Sequence, residues 1–433
     1  MTRDVLEMIL NGAFADPDGG PALGVPTRVV EIAETLEGRE AELVERLDLG
    51  GRLALVSDAN THTALGARVA RALASRVAVT EIRLPGRPHA DETSVEAIRR
   101  ASSDCDALIA VGAGTINDLC KYAAARDRKE YAVFGTAPSM NGYTSVNAAI
   151  TVGGHKKSLP AVAAAGVFLD LDVLSKAPKR MIQSGLGDSL CRSTAQADWL
   201  LAHLLLDQPY RQAPFALLVD DEADLFANSE ALLGGDLVAM RALARTLLLS
   251  GFGMTLCGGS YPASQGEHLI GHYIEMMAPS DWPEAFHGEQ IAVTTLTMAR
   301  LQERLLDGPA PRLHATAVSE AEVTEHFGAK LGAACWAAFT PKRLDAAGAE
   351  ALNARLAANW DSFRARLRAV LRPAAELEMV LAHAGAPRRP EDLHWPRAFY
   401  RDAVRHAREI RDRYTFLDLA ADSGMLDDDD ESP

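Results

Sequence analysis

The sequence predicts an α/β domain built on a parallel sheet, followed by an all-α domain. Two observations carry this. Over roughly the first 175 residues, short apolar runs alternate with helical stretches: RLALVSD (52–58), VAVTEIRLPG (77–86), ALIAVGAGT (107–115), YAVFGTAPS (131–139) and GVFLDLDVL (166–174). Runs that are apolar throughout and separated by helices are the pattern of parallel strands covered on both faces. From about Pro178 the texture changes to long Ala- and Leu-rich segments with helical periodicity, such as EALNARLAANWDSFRARLRAVLRP. The change falls at SKAPKRM, so the expected division is an α/β domain over 1–180, a helical domain over 181–420 and a disordered acidic tail over 421–433. The final DDDDESP carries charge with nothing apolar to bury.

Composition agrees with two domains. The chain has 433 residues, 48% hydrophobic and 24% charged, and single cores stop growing near ~250–300 residues. A formal charge of −15 argues against a nucleic acid as partner, because that binding needs clustered Lys and Arg. The start MTRDVLEMILNGAF lacks the apolar core of a signal peptide, and no apolar run reaches the roughly 18–20 residues of a bilayer span. The expected location is cytoplasmic. Five cysteines (Cys105, Cys120, Cys191, Cys257 and Cys335) are widely spaced without a CxxC pair, and read as buried thiols.

In ALIAVGAGTINDLCKYAA, Gly112, Gly114 and Thr115 follow an apolar run and precede a helical stretch. Such a turn lets the backbone approach a pyrophosphate, with helix N-terminal amides facing its charge, or it simply joins strand to helix. Asp118 and Lys121 fall in the first turns of that helix. Asp58 closes the first of the five runs, where a carboxylate either accepts from an adenosine ribose or caps the next helix. Here the acid precedes the glycines, the reverse of the GxGxxG fingerprint, so a plain Rossmann dehydrogenase is the wrong template.

Asp188 follows Gly185 and Gly187 in GLGDSL, at what reads as the start of a helix; N-cap and metal ligand are both open to it. In SQGEHLIGHYIEMM, His268 and His272 lie four apart and share one helical face, and AFHGEQIAV adds His287. One carboxylate with two imidazoles suits a borderline divalent cation and leaves positions open for a substrate oxygen. The HExxH pattern is absent, since Glu267 precedes His268.

Taken together, GAGTINDLCK, GTAPSMNGYTS, GLGDSL, GEHLIGH and FHGEQIAV, with YTFLDLAADSGML near the end, resemble the glycerol-1-phosphate dehydrogenase (AraM-like) branch of the iron-containing alcohol dehydrogenase and dehydroquinate synthase-like superfamily. The match runs in order over nearly the whole chain. The resemblance implies the dehydroquinate synthase-like fold, with a Rossmann-like first domain. It implies NAD(H) or NADP(H) held by Gly112, Gly114, Thr115, Asp118, Thr136, Ser139 and Ser145, with Asp58 near the adenosine. It implies one divalent metal (zinc, alternatively nickel or iron) on Asp188, His268 and His287. His272 matches a substrate-binding histidine suited to proton relay, and Lys157 matches a lysine near the substrate's anionic end. Asn141 stands where relatives carry an aspartate that contacts substrate. An asparagine still hydrogen-bonds a hydroxyl but takes no proton.

The expected activity is therefore NAD(P)H-linked, metal-dependent reduction of dihydroxyacetone phosphate to sn-glycerol 1-phosphate by a homodimer. The competing expectations are a reductase for another small ketone or polyol, a sugar-phosphate cyclase of the dehydroquinate synthase type, and a non-catalytic cofactor binder.

Overall fold

The structure, a computed structural model, describes residues 4–153 and 155–426, the side chains of His155 and Lys156 excepted. Among these residues the strands are β1 (Val29–Ala33), β2 (Arg52–Asp58), β3 (Ala78–Leu84), β4 (Ala107–Gly112), β5 (Glu130–Gly135), β6 (Asn147–Val152), β7 (His155–Pro160) and β8 (Gly166–Asp170). The helices that carry or flank the candidate site are α1 (Gly114–Asp127), α2 (Lys179–Leu190), α3 (Arg192–Leu206), α4 (Leu237–Leu256), α5 (Gly266–Met277) and α6 (His287–Asp307).

The chain divides into two compact units. The first, residues 1–189 and 212–260, holds a parallel six-stranded sheet in the order β1-β8-β5-β4-β2-β3 and a separate antiparallel hairpin, β6-β7. All five apolar runs are strands of that sheet. Every residue of β4 and β8 is buried, as expected of strands covered on both faces. On one face Leu53, Leu55, Ile109, Val111, Phe134 and Phe168 pack with Leu65, Val69 and Leu73.

Two elements escape the sequence reading. The edge strand β1 is VVEIA, only partly buried and interrupted by Glu31, so it lacks the continuous apolar run of its neighbours. The β6-β7 hairpin pairs outside the main sheet.

The division expected at residue 180 is corrected in two ways. The break falls at Ser189–Leu190, and residues 212–260, assigned from composition to the helical domain, belong to the first unit. Helical periodicity reports an apolar face but not what it packs against. In this case Leu249 and Phe252 of α4 meet Leu6 and Ile9, and Arg241 donates to the carbonyl of Ile32 at 2.8 Å. Helix α4 is also long and apolar enough, by length and composition, to cross a membrane, but 72% of its apolar window is buried inside the protein, the signature of a core helix.

The second unit, residues 190–211 and 261–433, is helical. Its core gathers Leu201 of α3, Tyr273 of α5 and Leu305 of α6 with Leu356, Trp360, Tyr414 and Phe416. The acidic run 427–433 lies outside the described residues. Residues 421–426, expected in the tail, instead continue the fold: the helix Phe416–Asp422 spans the expected boundary, and the carbonyl of Met425 accepts from Arg304 at 2.8 Å. Cys105, Cys120, Cys191 and Cys335 are buried free thiols, while Cys257 is half-buried.

One buried cation braces the first unit. Lys121 Nζ, on α1, is fully buried. It donates to the carbonyls of Gly142 (2.5 Å) and Asn147 (3.0 Å) and to Ser145 Oγ (3.1 Å). Asp118 lies 3.6 Å away. Burial pulls the ammonium below its ordinary pKa and pushes Asp118 above its own, and each charge opposes the other's shift. Replacing Lys121 by Met removes the cation that faces the buried Asp118 and one donor from each of the Gly142 and Asn147 carbonyls. The expected cost is about 3–5 kcal/mol, read as a lower denaturation midpoint in urea; an unchanged midpoint refutes the brace.

Candidate active site

In the first unit, β3 and β4 lie on opposite sides of β2, so the chain reverses direction across the sheet between β2 and β4. Open parallel sheets bind ligands beyond the carboxyl ends of the strands at such a switch point. Val56 pairs with Ala110, which brings Asp58 and Gly112, each two residues further on, out at that edge together. Gly112 is in register with Gly135, and the Thr136 amide donates to the Gly112 carbonyl at 3.2 Å.

The expected cofactor residues therefore share one end of the sheet, but their side chains differ in use. Gly112 must be glycine, because a Cβ would meet Ile116 at 2.5 Å. Helix α1 starts at Gly114 with Ala113 as a cap that contributes no side-chain hydrogen bond, and Thr115 is exposed. Asp58 Oδ1 accepts from the Thr61 amide at 2.8 Å, so the cap role is realised. Asp118 Oδ2 holds the Ala149 amide of the hairpin at 3.0 Å, Ser145 Oγ lies in the Lys121 network, and the Ser139 carbonyl accepts from Ser184. Lys157 is exposed on β7, its backbone paired with Ile150.

Asp188 departs from expectation. It stands at the carboxyl end of α2 rather than at its start, so it is no N-cap, and the helix dipole disfavours an anion there. It is 1% exposed, and its Oδ2 accepts from the Asn141 amide at 2.9 Å. Gly185 explains the glycines before it, since a Cβ there would lie 1.6 Å from the Pro138 carbonyl oxygen. The Asn141 side chain donates to Ser250 Oγ at 3.3 Å.

In the second unit the three expected histidines come together. His268 and His272 share a face of α5, and His287 opens α6. Ring centroids are 5.1 Å apart for His268 and His287, 5.9 Å for His268 and His272, and 6.1 Å for His272 and His287. Two carboxylates lie against them. Glu267, fully buried, meets His268 Nδ1 at 2.9 Å. Glu275 meets His272 Nδ1 at 3.2 Å and His287 Nδ1 at 3.8 Å. A carboxylate accepts, so the Nδ1 of His268 and of His272 each donate to one and turn their Nε2 atoms away from it, the orientation in which an imidazole ligates a cation. Neither glutamate was singled out from sequence as part of the site, although both lie within GEHLIGHYIEMM and Glu275 follows His272 by one helical turn.

His272 is pushed down to about 3 by burial, with the charges of Arg411 and His268 adding to the effect against the opposing pull of Glu275. An unfolded chain protonates this ring near 6.5. The unfolded state thus binds the extra proton between those values, so the stability contribution is full above about pH 6.5 and is lost as pH falls toward 3. Denaturant melts of metal-stripped protein from pH 7 to 4 should show the native chain losing more stability than His272→Gln; parallel pH curves defeat this account.

Residues 31–178 match the family model described as iron-containing alcohol dehydrogenase. A glycerol-1-phosphate dehydrogenase (NAD(P)+) of Geobacillus thermodenitrificans is 34% identical over 218 residues, 50% of this chain and 54% of that one. One from Geobacillus stearothermophilus is 31% identical over 406 residues, 90% and 92% of the two chains. The fold is also that of a probable glycerol dehydrogenase from Sinorhizobium meliloti 1021, with a TM-score of 0.58 at 17% identity over 93% of this chain and 96% of that one. A likeness to the stearothermophilus chain that runs almost from end to end, together with the family-model match, makes this chain an oxidoreductase of the glycerol-1-phosphate dehydrogenase family, within the iron-containing alcohol dehydrogenases.

Proposed function

We propose that the chain reduces dihydroxyacetone phosphate to sn-glycerol 1-phosphate with NADH or NADPH, using one divalent metal, as a cytoplasmic homodimer. The observation that carries this is the histidine cluster, with the Nδ1 atoms of His268 and His272 held by Glu267 and Glu275. Imidazoles oriented in this way are suited to a borderline cation, zinc or alternatively nickel or iron, with Asp188, His268 and His287 as its ligands. The names of the relatives support glycerol 1-phosphate as one member of the substrate pair and the nicotinamide cofactor.

Each residue has a role in this reading. A bound ion supplies Lewis acidity toward the ketone oxygen. Gly112, Gly114, Thr115, Asp118, Thr136, Ser139 and Ser145 would hold the nicotinamide cofactor, whose chemistry when bound would be hydride supply to the ketone carbon. Asp58 Oδ2, which takes no hydrogen bond among the described residues, accepts from the adenosine ribose while Oδ1 keeps its cap. His272 is neutral at working pH, and its Nε2 is an acceptor. It would accept the hydroxyl proton in dehydrogenation and pass it to solvent, and in reduction would relay a solvent proton to the product oxygen. Asn141 hydrogen-bonds a substrate hydroxyl where relatives place an aspartate, and Lys157 is assigned to the anionic end.

The test is oxidation of NADH and NADPH with dihydroxyacetone phosphate, dihydroxyacetone and glyceraldehyde 3-phosphate, after restoring zinc, nickel or iron to chelated protein. Metal-dependent turnover of dihydroxyacetone phosphate is expected, reduced about 1000-fold in Asp188→Asn and His268→Ala. Glu267→Gln should weaken metal binding about 10–100-fold through the freed His268 ring. Silence with all three ketones, from protein that binds metal and nucleotide, overturns the substrate assignment.

A further inference from the structure

Among the described residues, Arg411 is a cation without a hydrogen-bond or ion-pair partner whose charge acts on His272. The short turn Ala407–Ile410 packs against α5 and ends at Arg411, whose backbone is extended (φ −150°, ψ 163°). Two residues on, the Arg413 guanidinium lies 4.7 Å over the Tyr261 ring and donates to the Ser264 carbonyl, just ahead of the start of α5. The charge of Arg411 acts on both His272 and Glu275. This segment therefore brings positive charge to His272, the ring that Glu275 orients.

Several other arginines of this unit are matched with carboxylates, while Arg343 lies over the Trp336 ring at 4.4 Å. Arg300 has Glu378 at 2.9 Å, Arg355 has Asp207 at 2.7 Å and Arg408 has Asp422 at 2.8 Å. Arg411 is half-buried and, among the described residues, makes neither a hydrogen bond nor an ion pair. Burial lowers its pKa, and only the charges of Asp412 and Glu275 oppose that shift. A guanidinium held partly out of water without an acceptor costs stability. Its planar fork fits two oxygens of a phosphate monoester.

We propose that Arg411 receives the anionic group of the substrate, a phosphate monoester, and sets the preference for phosphorylated over neutral ketones. Exposed Lys157 would then be secondary. The identity of the substrate rests on the reductase reading, whereas the anion site does not.

The experiment uses the full chain, metal-loaded, with Arg411→Lys and Arg411→Met. For Arg411→Met the ratio of kcat/KM for dihydroxyacetone phosphate to that for dihydroxyacetone should fall about 100-fold, with a smaller loss for Arg411→Lys, which keeps the charge but not the fork. Inorganic phosphate should raise the Tm of the native chain and not that of Arg411→Met. Without ligand, Arg411→Met should melt at or above the native temperature, because among the described residues no hydrogen bond or ion pair holds the cation. A native chain that turns over no phosphorylated ketone, yet is stabilised by phosphate through Arg411, keeps the anion site and removes the substrate reading. Retention by Arg411→Met of both the substrate preference and the phosphate shift overturns the proposal, as does a ligand-free variant that melts several degrees lower, which would make the residue structural.

Discussion

The orientation of the histidine cluster depends on how one buried carboxylate is satisfied. Glu267 accepts from the Gln265 amide at 2.8 Å, from His268 Nδ1 at 2.9 Å and from Thr194 Oγ1 at 3.2 Å. A second carboxylate, Asp198 of α3, caps the same helix from the other direction. It takes the Gly266 amide at 2.9 Å and the Phe416 amide at 2.8 Å. Burial holds Asp198 well above the usual carboxylate range, and the nearby charge of Glu267 raises it further. Two acids are tolerable here because the helix N-terminus supplies unpaired amides and a favourable dipole. Gly266 makes the approach possible, since a Cβ would sit 2.8 Å from Asp198 Oδ2 and 2.4 Å from Met298 Cε. The position of His268 is thus set by a network reaching into α3 and the last helix, and not by α5 alone.

The first unit solves a different problem, that of holding the irregular segment from Thr136 to Asn147. Lys121 supports it from α1, with three hydrogen bonds. Helix α2 reaches it through the missing side chain of Gly185. Helix α4 reaches it at Gly251, where a Cβ would lie 2.5 Å from the Asn141 carbonyl oxygen. Thr144 Oγ1 donates to the Leu248 carbonyl, and Thr255 Oγ1 to the Thr144 carbonyl. A loop clamped by three helices keeps Asn141 and Asp188 in one geometry. This rigidity is what a group placed against the dipole of its own helix requires.

Arg411 shows the opposite economy. Most buried charges in the second unit are matched internally, as where Lys342 meets Asp418 at 2.9 Å or Arg408 meets Asp422. Among the described residues Arg411 stands outside that pattern, with its charge acting on His272 and Glu275, and departures of this kind are expected at functional sites.

The sequence by itself determined the sheet and the ingredients of the site. A run such as ALIAVG has no stable place except a strand covered on both faces, and two histidines four residues apart on a helix must share a side. These are local facts, carried by periodicities of two and 3.6 residues. Tertiary structure decided the rest. It chose the strand order, drew residues 212–260 into the first unit, and set Asp188 at the end of a helix. It also matched His272 with Glu275 and brought Arg411 to both. Periodicity tells a segment which face to bury, but the partner on that face, and the acceptor for a buried charge, come from parts of the chain whose distance in sequence leaves no local trace.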